Sequence, residues 1–265
     1  MIDWLHALPV GWMALVVFGG TFLVTGGIYW LVVVVAAGER ARAFKALSPG
    51  MLSPLGITFG LLVVFIAAQV WSDFDRATAV VDREASALRA VVLLAASFPG
   101  EPETQLRALV HRHIEEAVTQ EWPAMARRQA TLTMIPAPLA EALRLSLGLT
   151  PQGAGQVVAQ REILSAVQTA LDARRHRIMI SRSTVNWVKW TGLLLQAVCT
   201  LIAIAMIHCD NRVTAALALG LFAAGLAIAV LLIASHNRPF TGAISVGPDV
   251  LLQVMPEEPR PALRR

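Results

Sequence analysis

The stretch Leu55–Phe98, LGITFGLLVVFIAAQVWSDFDRATAVVDREASALRAVVLLAASF, passes from an apolar segment into a charged one with no helix breaker between them. It reads as one long helix, half in lipid and half in water. At 1.5 Å per residue it is roughly 65 Å long, about twice the hydrocarbon thickness of a bilayer. The rest of the chain is organised around it.

Composition supports a membrane setting. Of 265 residues, 56% are hydrophobic and 15% charged, and the mean hydropathy is +0.61, too apolar for an ordinary soluble domain. Lys and Arg number 22 against 18 acidic residues. No basic face interleaved with aromatics accompanies that margin, which argues against nucleic acid as a partner. Cys199 and Cys209 show no CxxC or other metal spacing and read as reduced thiols packed like small hydrophobes. MIDWLHALP carries no Lys or Arg before the first apolar run, so that run is expected to be a span rather than a cleaved signal.

Taken in order, residues 1–71 hold a first transmembrane pair, with spans at 10–37 and 55–71, Trp12 and Trp30 at the interfaces of the first and Pro54 opening the second. The linker between them carries Arg40, Arg42 and Lys45. Residues 72–184 read as a helical, water-soluble insert: from Asp73 to Thr184 there are 13 Arg and 12 acidic residues and no spanning run. PGEPE (99–103) ends the long helix. Leu106, Leu109, Val110, Ile114 and Val118 predict a second amphipathic helix, interrupted at Pro123 in EWPAM. A shorter helix is expected over Leu139–Leu147, then a GLTPQGAG loop, then a helix over Gln156–Ser181 with Val157, Leu164, Val167 and Leu171 on its apolar stripe. Residues 185–235 hold a second pair, with spans at 185–207 and 213–234. Trp187 and Trp190 stand at the start of the first of these, with Lys189 snorkelling at its edge; Gly220 and Gly225 would allow close helix approach in the other. Residues 236–265 form a tail in which Pro248 and Asp249 start a short amphipathic helix. The fold class is all-α, integral membrane.

Basic residues near the span ends set the orientation. Arg76, Arg83, Arg89, Arg174, Arg175, Arg177, Arg182 and Arg238 lie on the insert's side, against Arg40, Arg42, Lys45 and Arg212 opposite. This balance puts the insert and both termini in the cytoplasm.

The long helix has two faces. Gly56, Gly60, Val63, Ala67, Val70, Phe74, Val81, Ala85, Leu88 and Val92 share one side at near-heptad spacing, and Gly56 with Gly60 makes a GxxxG packing pair. Opposite lie Thr58, Leu62, Phe65, Gln69, Arg76 and Arg83, polar at both ends of the embedded part and apolar between. If this strip borders water, Leu62 and Phe65 could close the path by dewetting, with Arg76 and Arg83 at the cytoplasmic mouth. The same spacing fits a plainer arrangement: Thr58 bonding its own backbone, Gln69 hydrogen-bonding across a helix interface, and Leu62 and Phe65 in core or lipid. Phe59, Val63 and Ile66 form an alternative face.

VVDREASAL (80–88), ASFP (96–99), LRALVHRHIEEAV (106–118) followed by EWPAM, and RPFTGAISVGPDVLLQVM (238–255) carry a resemblance. With them, the chain resembles the uncharacterised bacterial membrane proteins that have a bestrophin-like domain, and so is similar to the bestrophin ion channels. The one departure is His113, where an aromatic such as Tyr is expected. The resemblance implies a homo-oligomer, a pentamer, in a bacterial inner membrane, conducting small monovalent ions through a central pore lined by Leu55–Trp71. Selectivity does not follow from kinship; Arg76 and Arg83 slightly favour anions, with Asp73 and Asp75 beside them.

An enzyme has little to stand on: there is no GxSxG, HExxH, P-loop or dinucleotide fingerprint, hence no catalytic residue and no cofactor is assigned. His111 and His113 diverge on a helix, and the consecutive His208, Cys209 and Asp210 do not converge on one ion, so no metal site is assigned. Glu84 could pair with Arg89 or a neighbouring subunit. The rival to a channel is a non-conducting helical scaffold or sensor, anchored among membrane lipid, that binds a cytoplasmic partner. A transporter would be expected to show paired internal repeats, which the chain lacks.

Overall fold

The computed structural model describes residues 8–35, 44, 49–133, 135–242 and 244–257. Arg40, Arg42, Lys45 and the last residues of the tail, 258–265, lie outside it. Among the described residues all regular structure is helical, and four helices are long and apolar enough to cross a membrane. The all-α membrane class is therefore the observed one.

Helix α1 is Val10–Val35. A turn of 3-10 helix, Pro49–Met51, leads into α2, Leu52–Ala95, unbroken from its apolar to its charged half. It ends at Ala95, and Gly100, at φ 96°, caps the next helix in a conformation that a side chain would resist. Then follow α3 (Glu101–Glu116), a π turn (Ala117–Glu121), α4 (Trp122–Ala126), α5 (Ala137–Gly148) and α6 (Ala154–Ser181). Helices α7 (Trp187–Ile207) and α8 (Arg212–His236) each start at an asparagine cap. Asn186 accepts from the Val188 N–H, and Asn211 from those of Val213 and Thr214. Helix α9 is Asp249–Gln253, with Pro248 before it.

The chain forms two compact units: one from Met1–Ser72, Thr184–Arg238 and Gly242–Ile244, the other from Asp73–Ser183, Pro239–Thr241 and Ser245–Arg265. Helix α2 contributes its apolar half to the first and its charged half to the second. In the first unit α1 packs along α8, and α7 packs against both. Its core includes Ile28, Val32, Phe59, Ile66, Val70, Leu193, Leu201 and Leu226, with the Phe59 and Phe222 rings 5.3 Å apart. The expected close approach at Gly220 and Gly225 is not made within the chain, since a Cβ built at either meets nothing within 4 Å. The fully buried small residues of α8 are Ala223 and Ala227, whose methyl groups fill the seam that the glycines would leave empty. Cys199 is exposed rather than packed, and both cysteines are free.

In the second unit, two expectations change. Pro123 does not interrupt the helical path. The π turn carries the chain into α4, the Trp122 N–H reaching back to the Ala117 carbonyl, and the wider turn accommodates a proline that has no N–H to offer. The stripe of α6 is also rotated from the expected one. Val157 is exposed and Leu164 and Leu171 are half-buried, whereas Ala159, Ile163, Val167, Ala170, Arg174, Arg177 and Ser181 are buried. The contact face mixes small Ala159 and Ala170 with Ile163, Val167 and two arginines, so a stripe drawn through the large apolar residues alone misses part of it.

Candidate functional site

The buried positions of the second unit follow core spacing on three helices. They include Ala77, Val81, Glu84, Leu88, Val91 and Ala95 on α2, Leu106, Val110 and His113 on α3 followed by Ala117 of the π turn, and Val167, Ala170, Arg174, Arg177 and Ser181 on α6. Each run steps by three and four residues, and each places a polar group where an apolar one is the default. The polar groups meet.

Arg177 and Glu84, both fully buried, form a two-point pair: Arg177 Nε donates to Glu84 Oε2 (2.8 Å) and Nη2 to Oε1 (3.1 Å). The same Nη2 donates to Glu121 Oε2 at 2.9 Å, and Arg174 Nε donates to Glu121 Oε1 at 2.6 Å. His113 Nε2 donates to Glu84 Oε1 at 3.0 Å, since an ionised carboxylate can only accept. Below the guanidinium lies the Trp122 ring, 4.3 Å from Arg177 Cζ to the ring centroid, and Met125 Sδ accepts from Nη1 at 3.7 Å. Two carboxylates thus balance two guanidiniums in a layer that runs from the interior at Glu84 towards water at Glu121.

Burial alone would push the Glu84 carboxyl up. The Arg177 charge and the His113 hydrogen bond outweigh it and hold the group at about 2, below the usual carboxylate range. Burial would likewise push Arg177 down, and the charge of Glu84 more than offsets it, raising the guanidinium further. A carboxylate fixed in this way neither takes nor gives a proton near neutrality. The layer ties α2, the π turn and α6 together, which suits it to setting helix register.

Every stretch that carried the family resemblance reaches this layer or the core around it. VVDREASAL supplies Glu84, LRALVHRHIEEAV supplies His113, and EWPAM supplies Glu121, Trp122 and Met125. From the stretch after the last span, the Val246 carbonyl accepts from Trp122 Nε1 (3.1 Å), Phe240 meets the Trp122 ring edge-on at 6.1 Å, and Thr241 Oγ1 donates to the Ala126 carbonyl (2.9 Å). In ASFP, Phe98 is buried and the Ser97 carbonyl accepts from Gln156 Nε2. His113, where an aromatic such as Tyr is expected, supplies a donor to Glu84 from its ring nitrogen. His111 diverges from it and meets the Pro256 carbonyl at 2.9 Å.

Sequence reasoning singled out Glu84 but paired it with Arg89 or another subunit; its partner is Arg177, 93 residues away. Arg174 and Arg177 entered only as basic residues near a span, and Glu121 only as part of EWPAM. The available signal was position, because in each of three helices a charged or polar residue falls on the apolar repeat.

The residues expected to line a path are placed by α2's apolar half. Thr58 is exposed and its Oγ1 donates to the Pro54 carbonyl at 2.8 Å. Leu62 is half-buried against the first unit's core, while Phe65 is 71% exposed. Gln69 accepts a hydrogen bond from Lys189 Nζ on α7. The four share one stripe, at the border between the packed side of α2 (Phe59, Ile66, Val70) and its exposed side (Ile57, Leu61, Val64). Gly56 and Gly60 have open space where a Cβ would stand. Arg76 and Arg83 are exposed, and Arg76 meets Asp73 at 3.5 Å.

A family model, Bestrophin-like domain, matches residues 19–251. No curated protein and no solved structure matches the chain. The matched region takes in the apolar half of α2 and all five residues of the buried charge layer, so the chain belongs to the Bestrophin-like domain family, a channel-related family of membrane proteins.

Proposed function

We propose that this protein is the subunit of a homo-oligomeric ion channel, a pentameric ring, in which Leu55–Trp71 of α2 lines a central path for small monovalent ions. The observation that carries this reading is the exposed side of α2. Ile57, Leu61, Val64 and Phe65 are 53–71% exposed, and the chain's own spans cover only the opposite side. An apolar surface of that extent calls for lipid or further copies of the chain. In the proposed ring Thr58, Leu62, Phe65 and Gln69 border water, Leu62 and Phe65 form the narrow part, and the open flank at Gly56 and Gly60 receives a neighbour's helix. Arg76 and Arg83 stand at the mouth. The helical unit and both termini face the cytoplasm of a bacterial cell, the membrane being the inner one, and anions are slightly favoured.

A second reading rests on the internal bonds of Thr58 and Gln69. Both side chains find partners within the chain, as they would in a non-conducting anchored scaffold or sensor that binds a cytoplasmic partner. Native mass in nanodiscs and currents in planar bilayers separate the two. Five copies with single-channel currents support the channel. A monomer, or a silent oligomer that Leu62→Ala and Phe65→Ala fail to open, supports the scaffold.

A further inference from the structure

We infer that Lys189 of α7 sets the charge preference of the path along α2; the inference rests on the channel reading above. The long basic side chain stands in the first turn of its span, and its ammonium donates to the Oε1 of Gln69, the polar end of the α2 stripe Thr58–Leu62–Phe65–Gln69. This partner is a neutral amide. Among the described residues no carboxylate lies in ion-pair reach of Lys189; of the two cations that the sequence placed at the mouth, Arg76 has Asp73 at 3.5 Å, and Arg83 is exposed further along the charged half of α2.

The contrast decides which charge an ion would meet. A guanidinium with its own carboxylate presents little net field, while an ammonium beside a neutral amide has no counter-charge next to it. Lys189 also sits in the first turn of α7, where the helix dipole disfavours a cation. Its position therefore does not serve helix stability. One turn-pair further along the same face of α7, Gln196 Nε2 donates to the Leu55 carbonyl at 3.3 Å. Two polar side chains of α7, Lys189 and Gln196, thus reach the apolar half of α2, and polar groups within a span border a path more readily than lipid. A ring of such ammoniums, one per subunit, attracts anions and repels cations.

The test is the reversal potential of reconstituted protein in planar bilayers under a potassium chloride gradient. Wild-type protein and Lys189→Arg should both prefer chloride. Lys189→Gln should lower the chloride-to-potassium permeability ratio by about tenfold, and Lys189→Glu should invert the preference. Currents of ordinary size with an unchanged reversal potential in both Lys189→Gln and Lys189→Glu would overturn the inference and leave the channel standing. Cation preference in the wild type would overturn it too. Absence of current from wild-type protein would instead remove the channel reading itself, and the inference with it. Arg76→Gln is the control and should shift the ratio less than Lys189→Gln does.

Discussion

The two halves of α2 use the same helix in opposite ways. From Asp73 onward, the chain buries a whole side of the helix, and even the charged Glu84 on that side finds every partner within the same polypeptide. Before it, from Leu55 to Trp71, the chain covers one side with Phe59, Ile66 and Val70 and leaves Phe65 and Leu61 outward. The charged half is covered within one copy and the apolar half is covered on one side. Self-sufficiency in the helical unit makes it sensitive to single substitutions inside the chain, whereas in the proposed ring the apolar half responds chiefly through assembly.

The largest expected effect breaks the charged half. Arg177→Met leaves Glu84 buried without its counter-charge and should cost about 3–5 kcal/mol of stability, read as a lowered denaturation midpoint of the helical unit in detergent. The double variant Glu84→Leu with Arg177→Met removes both charges and should recover much of that loss; a double variant as unstable as the single one would show that packing around Trp122 and Met125, not charge, was lost.

Trp122→Phe is smaller. It deletes the hydrogen bond to the Val246 carbonyl and weakens the ring face under Arg177, and should cost about 1–2 kcal/mol by the same measurement. Acid should act on the same layer. The Glu84 carboxyl ordinarily titrates near 4.5 and is held at about 2 in the fold. The unfolded state therefore binds its proton first as pH falls. The stability this group contributes is full above pH 4.5 and is lost as pH falls through 2, a loss that Glu84→Gln should abolish in an acid titration.

The apolar half should behave differently. Gly60→Leu adds a side chain where the isolated chain has open space, so its helicity and unfolding should stay near those of the wild type. Native mass should nevertheless show loss of the assembled ring, and an intact ring would place Gly60 away from the subunit seam. Thr58→Val is the mildest. Its hydroxyl bonds only its own helix, and the stability change should stay within about 0.5 kcal/mol. A lowered conductance would then report a water-facing position and sharpen the contrast with Glu84.

Much of the architecture was legible because it depends on neighbours in sequence. Continuity of α2, the end of that helix before PGEPE, and the four apolar runs are all local properties. The misreadings were non-local. Size suggests a stripe on α6 through Val157, Leu164, Val167 and Leu171; of these Val167 alone is fully buried, and the small Ala159 and Ala170 share its face. Pro123 was taken as an interruption because its sequence cannot reveal that a π turn absorbs it. Arg177, inside ARRHR, read as one basic residue among several near a span. Its role depends on Glu84, 93 residues earlier, and on the Trp122 ring.

By itself the sequence determined that this is an all-helical membrane protein of the Bestrophin-like domain family, because hydropathy, helix continuity and the family's short motifs are carried by consecutive residues. Only the tertiary structure decided which charges are spent inside the chain. It placed Glu84 on Arg177, Arg76 beside Asp73 and Lys189 on Gln69. Electrostatic energy depends on distance and burial, and neither is a property of one stretch of sequence.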